Sequence, residues 1–279
     1  MDRLELAVGP YIFDARADGP SDGALVLLLH GFPQSSYTWR HQLPALARDG
    51  YRAVAPDLRG YSPRARPTDA EEYRVATLVG DVLGFADALG ADTFHLVGHD
   101  WGGALAWQVA GRHGTRVRTL TSVSTPHPLA MRESIRHGEQ REKSGYMQFL
   151  RTPAAEAFLS DDDGAGLRML FEASGLQPID AGEYLRHFRD PGAVAGALSW
   201  YRGADIRLVE GLGPIMMPTL YVWSTADPAL GREAAEATGG CVDGPYRFVV
   251  LEGMGHWIPE LAADQLNELL VEHLLAGAN

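Results

Sequence analysis

The chain has 279 residues, of which 46% are hydrophobic and 22% charged, and it carries a formal net charge of −12 at pH 7. This length suits one α/β domain with an inserted segment and can bury roughly three quarters of the unfolded surface. The acidic balance disfavours nucleic acid and anionic membranes as partners. Cys241 is the single cysteine, which excludes an internal disulfide bond and favours a reducing compartment.

The amino terminus lacks the apolar stretch of a signal peptide, and no segment reaches the length of a transmembrane helix. We therefore expect a cytoplasmic protein that is a monomer or a homodimer.

Strand and helix patterns alternate along the chain after the third predicted strand. Apolar residues at helical spacing predict one helix from Val75 to Leu89 and another from Leu266 to Leu274. Residues 161–164, three aspartates and a glycine, are interpreted as a solvated turn. The alternation predicts an α/β fold with a mostly parallel sheet and an antiparallel start. The eight predicted strands are residues 4–8, 11–16, 25–29, 52–56, 93–97, 118–123, 219–223 and 246–251.

The third predicted strand runs directly into a loop that can bind an oxyanion. Residues 25–29 form a continuous apolar run, and a His-Gly-Phe-Pro segment follows at once. Backbone N–H groups at this place can form half of an oxyanion hole, and the N–H after a nucleophile forms the other half. The predicted donors are the N–H groups of Phe32 and Trp101.

A Gly-His-Asp-Trp-Gly segment connects the strand at residues 93–97 to the next predicted helix. Gly98 and Gly102 lack a Cβ, so strand and helix can approach closely while Asp100 is displayed above the sheet. This is the geometry of a nucleophile elbow. An ionised carboxylate suits attack on an epoxide or on a carbon that bears a halide, rather than on an amide. The alternative interpretation is an ordinary helix start with Asp100 as its N-cap.

Two further candidate residues follow later strands. Asp227 lies four residues beyond the strand at 219–223, and His256 lies in the loop after the strand at 246–251. The order nucleophile, acid, histidine is that of α/β-hydrolases. His256, oriented by Asp227, is predicted to activate water against an ester formed on Asp100. The alternative is a structural histidine at a strand end.

On these motifs the chain resembles the α/β-hydrolase superfamily along nearly its whole length, most closely the epoxide hydrolases of the epoxide hydrolase and haloalkane dehalogenase branch. The resemblance implies an α/β-hydrolase fold, whose mostly parallel eight-stranded sheet is flanked by helices. It implies a core of residues 1–126 and 214–279 and an inserted helical cap of residues 127–213. Ser224 departs from the family, which often has glycine there. The matching segments are His30-Gly31-Phe32-Pro33, Asp57-Leu58-Arg59-Gly60-Tyr61, Gly98-His99-Asp100-Trp101-Gly102-Gly103, Asp227-Pro228 and Gly255-His256.

The resemblance also implies two cap tyrosines that hold the epoxide oxygen and protonate the leaving alkoxide. Tyr146 precedes a segment that runs on to a proline and an Ala-Glu pair, and Tyr201 lies in a Trp-Tyr-Arg signature, both similar to the family. The alternative for each tyrosine is core filling with a satisfied hydroxyl. No cofactor and no metal are expected. The residues expected to line the substrate pocket are His30, Trp101, Trp200 and Trp257.

The predicted function is an epoxide hydrolase that opens a small apolar epoxide to a vicinal diol through an ester on Asp100. A haloalkane dehalogenase is the first alternative, since the Trp101 indole can hold a halide, but Phe32 stands where such enzymes often have asparagine. A haloacid dehalogenase is disfavoured because Trp101 and Leu105 stand where fluoroacetate dehalogenases have arginines. A ligand-binding α/β-hydrolase without turnover is an alternative of another class. The complete set of Asp100, Asp227 and His256 argues against it.

Overall fold

The computed structural model describes residues 1–205 and 208–277, which contain one eight-stranded sheet. All eight predicted strands are present, and every bound agrees within two residues. The strands are β1 (Asp2–Val8), β2 (Tyr11–Asp18), β3 (Leu25–Leu29), β4 (Arg52–Pro56), β5 (Phe94–His99), β6 (Val117–Val123), β7 (Thr219–Ser224) and β8 (Tyr246–Leu251).

The strand order is β1-β2-β4-β3-β5-β6-β7-β8. The strand β2 pairs antiparallel with both β1 and β4, and every later pair is parallel. The predicted mostly parallel sheet with an antiparallel start is therefore confirmed. Because β5, β6, β7 and β8 are parallel neighbours, the loops that follow them emerge at one edge of the sheet.

Helices cover both faces of the sheet, and further helices make up the segment inserted between β6 and β7. The helices are α1 (Gln42–Arg48), α2 (Val75–Ala88), α3 (Trp101–Arg112), α4 (Pro128–Ser134), α5 (Gly138–Lys143), α6 (Tyr146–Leu150), α7 (Pro153–Ala173), α8 (Pro178–Phe188), α9 (Ala193–Gly203), α10 (Arg232–Ala237), α11 (Ile258–Leu261) and α12 (Ala263–Ala276).

The strand β3 is apolar at every position because both of its faces are buried. Leu27 and Leu29 belong to the core cluster that includes side chains of α2 and α3. Val26 and Leu28 point to the opposite face, into the cluster that includes α1 and α12. Side chains alternate between the two faces of a strand, so a strand covered on both sides reads as a continuous apolar run. The sheet is thus a rigid central layer from which the site loops project.

Residues 127–213 hold the helices from α4 to α9, and the described part of this segment contains no strand. The indole N–H of Trp200 in α9 donates to the carbonyl of Arg59 at 2.7 Å. Gly60 and Gly196 approach so closely that a Cβ on either would lie 2.5 Å from the carbonyl oxygen of the other. This packing agrees with a helical cap over the core, whose boundaries stay a prediction.

Residues 161–164, which the sequence suggested as a solvated turn, lie within the span of the helix α7, but Asp163 and Gly164 have left-handed backbone with φ of 56° and 80°, so the chain departs from regular helical geometry there. Asp163 is exposed, and its carboxylate lies 3.3 Å from the guanidinium of Arg189. The helix buries Leu159, Leu167 and Phe171 in the core cluster. Within the described residues, no helix combines the length and the apolar character that crossing a membrane requires.

Candidate active site

Asp100 lies at the sharp turn between β5 and α3. Its backbone has φ 53° and ψ −121°, a conformation that is costly for a residue with a Cβ. The turn is tight because Gly98 and Gly102 lack side chains. A Cβ on Gly98 would lie 2.1 Å from the carbonyl oxygen of Gly102, and one on Gly102 would lie 2.1 Å from that of Leu29. The predicted elbow is therefore present around Asp100.

The carboxylate of Asp100 does not cap the helix α3, although Asp100 occupies the N-cap position. Its Oδ1 accepts a hydrogen bond of 2.8 Å from the N–H of Phe32. Gly31 makes this contact possible, because a Cβ there would lie 2.3 Å from the Cβ of Asp100. The amide of Trp101 is in the first turn of α3, where N–H groups have no intrahelical partner. The two N–H groups predicted to bind an oxyanion, those of Phe32 and Trp101, thus both lie beside Asp100.

His256 connects the other two predicted residues. Its Nδ1 lies 2.7 Å from Oδ2 of Asp227, and its Nε2 lies 3.4 Å from Oδ2 of Asp100. The second oxygen of Asp227 accepts the N–H groups of Ala229 at 2.8 Å and Leu230 at 3.0 Å. With Asp227 fixed on both oxygens, the imidazole is held with its Nε2 toward the elbow.

The three side chains form a buried charge system. Burial alone lowers the pKa of His256, but the carboxylates of Asp227 and Asp100 outweigh it and raise the pKa to about 10. Burial raises the pKa of Asp100, but the hydrogen bond and charge of His256 outweigh it and leave the pKa below its ordinary value. At neutral pH the resting site therefore holds an imidazolium beside an Asp100 carboxylate.

Tyr146 at the start of α6 and Tyr201 in α9 face this charge system from the cap. Their ring centroids are 6.3 Å apart. The ring of Tyr201 also packs edge to face against the indole of Trp101, with the centroids 5.0 Å apart. Burial, together with the negative charge of Asp100, raises the pKa of both hydroxyls, so both tyrosines keep their protons.

A cavity of about 310 Å³ opens beside Asp100, between the sheet edge and the cap. Asp100, His256, Tyr146 and Tyr201 line it together, and so does Trp257. Asp227 lies directly behind His256, in contact with its imidazole. The fold therefore brings all five predicted catalytic residues, the two tyrosines included, to one place.

Three of the four residues that were expected in the pocket have other places. Among the described residues, the lining of this cavity includes Trp257 but not His30, Trp101 or Trp200, and Trp101 lines a smaller recess on the other side of Asp100. His30 is fully buried, with Nε2 accepting the N–H of Leu58 and Nδ1 facing the carbonyl of Gly31, each at 3.0 Å. Burial lowers the pKa of His30 to about 4, which keeps it neutral. His30 supports the backbone of the oxyanion loop, and Trp200 fastens α9 to the core.

Comparison with known proteins gives this site a family. Residues 24–263 match the family described as alpha/beta hydrolase fold. The chain belongs to the α/β-hydrolase family. Epoxide hydrolase 4 of Mus musculus is 34% identical over 265 residues, which cover 91% of this chain and 74% of that protein. Epoxide hydrolase A of Mycobacterium tuberculosis (strain ATCC 25618 / H37Rv) is 32% identical over 295 residues, which cover 92% of each.

The same relationship appears in three dimensions. The crystal structure of Bacillus megaterium epoxide hydrolase in complex with an inhibitor aligns with a TM-score of 0.89 and 27% identity. The alignment covers 97% of this chain and 99% of that one. This α/β-hydrolase is thus similar to an epoxide hydrolase over nearly its whole length.

Sequence reasoning missed the groups that hold the histidine loop of this α/β-hydrolase. The carbonyl of His256 accepts the hydroxyl of Ser124 and the Nε2–H of His99, each at 2.9 Å. Burial and the neighbouring His256 lower the pKa of His99 to about 4, so His99 is a neutral donor. The hydroxyl of Ser224 donates to the carbonyl of Gly255 at 2.8 Å. These acceptors are backbone carbonyls, which residue patterns do not reveal.

The acid loop is held from the cap by the helix α5. Lys143, the only lysine of the chain, donates to the carbonyl of Asp227 and, at 3.4 Å, to that of Leu230. The side chain of Gln140 accepts the N–H of Gly231 at 2.8 Å and donates to the carbonyl of Ala229 at 2.9 Å. The helix α5 therefore helps to fix the loop that carries Asp227.

Proposed function

We propose that Asp100 opens a small apolar epoxide and that the resulting ester is hydrolysed by water activated by His256, giving a vicinal diol. The protein is an epoxide hydrolase by its family and by relatives of 32% to 34% identity that span most of the chain. The observation that carries the residue roles is the alignment of Asp100, His256 and Asp227 beneath two protonated tyrosines at one cavity.

In the first step, an oxygen of Asp100 attacks one epoxide carbon while the bond from that carbon to the epoxide oxygen breaks. Tyr146 or Tyr201 donates its proton to the alkoxide. Esterification removes the negative charge of Asp100, which is one of the two charges that hold the proton on His256. The imidazolium then loses its proton, which restores the tyrosine, and His256 becomes a base.

In the second step, neutral His256 takes a proton from water and the hydroxide attacks the ester carbonyl of Asp100. The N–H groups of Phe32 and Trp101 stabilise the tetrahedral oxyanion. When the ester bond breaks, the diol oxygen takes the proton from His256, and the remaining carboxyl proton of Asp100 returns to His256. The balance is one epoxide and one water consumed for each diol formed.

A haloalkane dehalogenase fits this site less well. The indole of Trp101, the donor that would hold a halide, packs edge to face against the ring of Tyr201, with the centroids 5.0 Å apart. The side chain of Phe32 cannot donate a second hydrogen bond. Two hydroxyls over the nucleophile instead match the need to hold and protonate an epoxide oxygen.

We further propose that residues 127–213 form the cap and that residues 1–126 and 214–279 form the core. A monomer or homodimer in the cytoplasm is part of the same proposal. The support for the cytoplasmic location is that Cys241 is the single cysteine, as suits a reducing compartment.

The decisive experiment traps the ester. The His256→Gln variant is exposed in parallel to styrene oxide and to 1-bromobutane, and its intact mass is measured before peptide mapping. The expected result is an adduct with the mass of one epoxide on the peptide that contains Asp100, and none in His256→Gln combined with Asp100→Asn. A butyl adduct alone would identify a dehalogenase, and normal turnover by His256→Gln would refute the assigned roles.

A further inference from the structure

Two spaces of very different size meet at the Asp100 carboxylate. The first is the cavity of about 310 Å³, and the second is a recess of about 20 Å³. Asp100, Tyr146, Tyr201 and Ala229 line both of them. An epoxide placed for attack by Asp100, with its oxygen on the tyrosines, therefore lies at the junction of the two spaces.

The large cavity suits an apolar group that enters from solvent. Phe149 and Phe158 are each 43% exposed at its rim, and Leu170 is 37% exposed. Among the described lining residues, the ionisable ones are Asp100, His256 and the two tyrosines, all of which belong to the proposed chemistry. A charged substituent would find no counter-ion there, whereas an apolar chain or ring gains from leaving water.

The recess lies on the other side of the junction, between the sheet edge and the inserted segment. Thr125 and Ala104 form its floor on the core side, and Met131, Ser144 and Met147 come from the inserted segment. Met131 is only 2% exposed and Ser144 only 6%, so the recess has no wide opening there. A space of this volume accepts about one water molecule, or a group of the size of a methyl.

We propose, on the basis of the function proposed above, that the substrates are epoxides with one large apolar substituent on one ring carbon and nothing larger than methyl on the other. The two ring carbons point their substituents in opposite directions along the bond that joins them. At the junction one carbon thus faces the large cavity and the other faces the recess. A second large group meets Met131 and Met147.

Three substrates that differ only at the second carbon test this inference. Styrene oxide has hydrogens there, trans-1-phenylpropylene oxide has one methyl, and trans-stilbene oxide has a second phenyl. We expect kcat/KM of the first two to agree within about tenfold and that of stilbene oxide to fall at least about a hundredfold, since a misfit in a packed site costs this order. Stilbene oxide hydrolysed as fast as styrene oxide would overturn the inference and leave the function intact.

Substitutions of residues that line the recess test whether its size sets the preference among the three epoxides. Met147→Ala enlarges the recess and is expected to raise the ratio of kcat/KM for stilbene oxide to that for styrene oxide at least about tenfold. Ala104→Val fills the recess and is expected to lower the ratio for the methyl substrate. Met169→Ala, an exposed methionine in α7 outside both spaces, is the matched control and keeps all ratios. Thermal melts verify that each variant is folded.

The outcomes distinguish the two proposals. An unchanged ratio in both Met147→Ala and Ala104→Val, with folded proteins, overturns the role of the recess. Failure of all three epoxides, together with no adduct on His256→Gln, overturns the proposed function and this inference with it. Adducts on His256→Gln from styrene oxide but not from stilbene oxide support both.

Discussion

Replacing Asp100 by asparagine should release the proton that His256 holds in the resting site. The Nε2 atom lies 3.4 Å from the Asp100 carboxylate, both side chains are mostly buried, and the pKa of His256 is raised to about 10. Asparagine has nearly the same shape as aspartate and no charge, so it also mimics the neutral ester of the proposed intermediate. The variant therefore asks whether ester formation converts His256 into a base.

The size of the effect follows from the distance. A unit charge at 3.4 Å contributes about 5 kcal/mol at an effective dielectric constant of about 20. At about 1.4 kcal/mol for each factor of ten, the loss of this charge weakens proton binding on the order of a thousandfold or more. Asp227 remains and continues to favour the imidazolium, so the pKa of His256 is expected to fall toward the neutral range rather than below it.

The assay is a pH titration by NMR with ¹³C-labelled histidine. The chain has ten histidines, and the resonance missing from His256→Gln identifies the one that matters. Asp163→Asn, which removes one exposed carboxylate from the cap surface, is the control for the change in net charge. It should leave the titration of His256 as in the unaltered protein.

If His256 in Asp100→Asn still titrates near pH 10, Asp227 alone holds the proton and the charge of Asp100 is not the switch. In that case the ester would have to be hydrolysed by a base that is protonated at neutral pH, and another group would be required. The proposed second step would then be wrong even if the ester forms on Asp100.

Three further predictions follow from the same contacts. Tyr146→Phe and Tyr201→Phe should each lower the rate of adduct formation about tenfold to a hundredfold, and the double variant should lower it about 10⁴-fold, as expected for loss of a general acid. Quenched-flow mass spectrometry measures this rate. A fully active double variant would contradict the tyrosine roles. Lys143→Met should slow ester hydrolysis about tenfold, since a charge-assisted hydrogen bond is worth about 1.5 kcal/mol or more. It should leave the rate of adduct formation unchanged, and Lys143→Arg should restore most of the rate of ester hydrolysis. Folding raises the pKa of His256 from 6.5 to about 10, so its ion pairs contribute their full stability below pH 6.5 and lose it as the pH rises through about 10. Across that window the urea midpoint of the unaltered protein should fall more steeply than that of His256→Gln. Parallel curves would show that the protonation of His256 does not contribute to stability.

The strands and the elbow could be predicted because their signals are local. Continuous apolar runs mark strands that are buried on both faces, and glycines on either side of Asp100 mark a turn that no side chain fits. The prediction of where β5 ends was less accurate. Gly98 and His99 pair with Ser122 and Val123 and so extend the strand up to the nucleophile. Such pairing depends on the neighbouring backbone, which no pattern within residues 93–99 records.

The pocket lining was predicted less well than the contacts among Asp100, Asp227 and His256, because side-chain type does not determine which partner a side chain finds. His30 and Trp200 are both capable of contacting a substrate. In the fold, the imidazole of His30 is used by Leu58 and Gly31, and the indole of Trp200 is used by Arg59. Each satisfies a buried backbone group, which would be costly to leave unpaired.

Ser224 shows how a departure from a family pattern can support the site. The resemblance indicated glycine at this position. Serine there raised the question of whether the following loop still holds Asp227 in the position that the family uses. In the structure the Ser224 hydroxyl binds the carbonyl of Gly255, directly before His256, and so ties the acid loop to the histidine loop. Serine also loses less backbone entropy on folding than glycine does. Both effects restrict the same two loops, so the substitution should hold Asp227 and His256 at their 2.7 Å contact more firmly than glycine would.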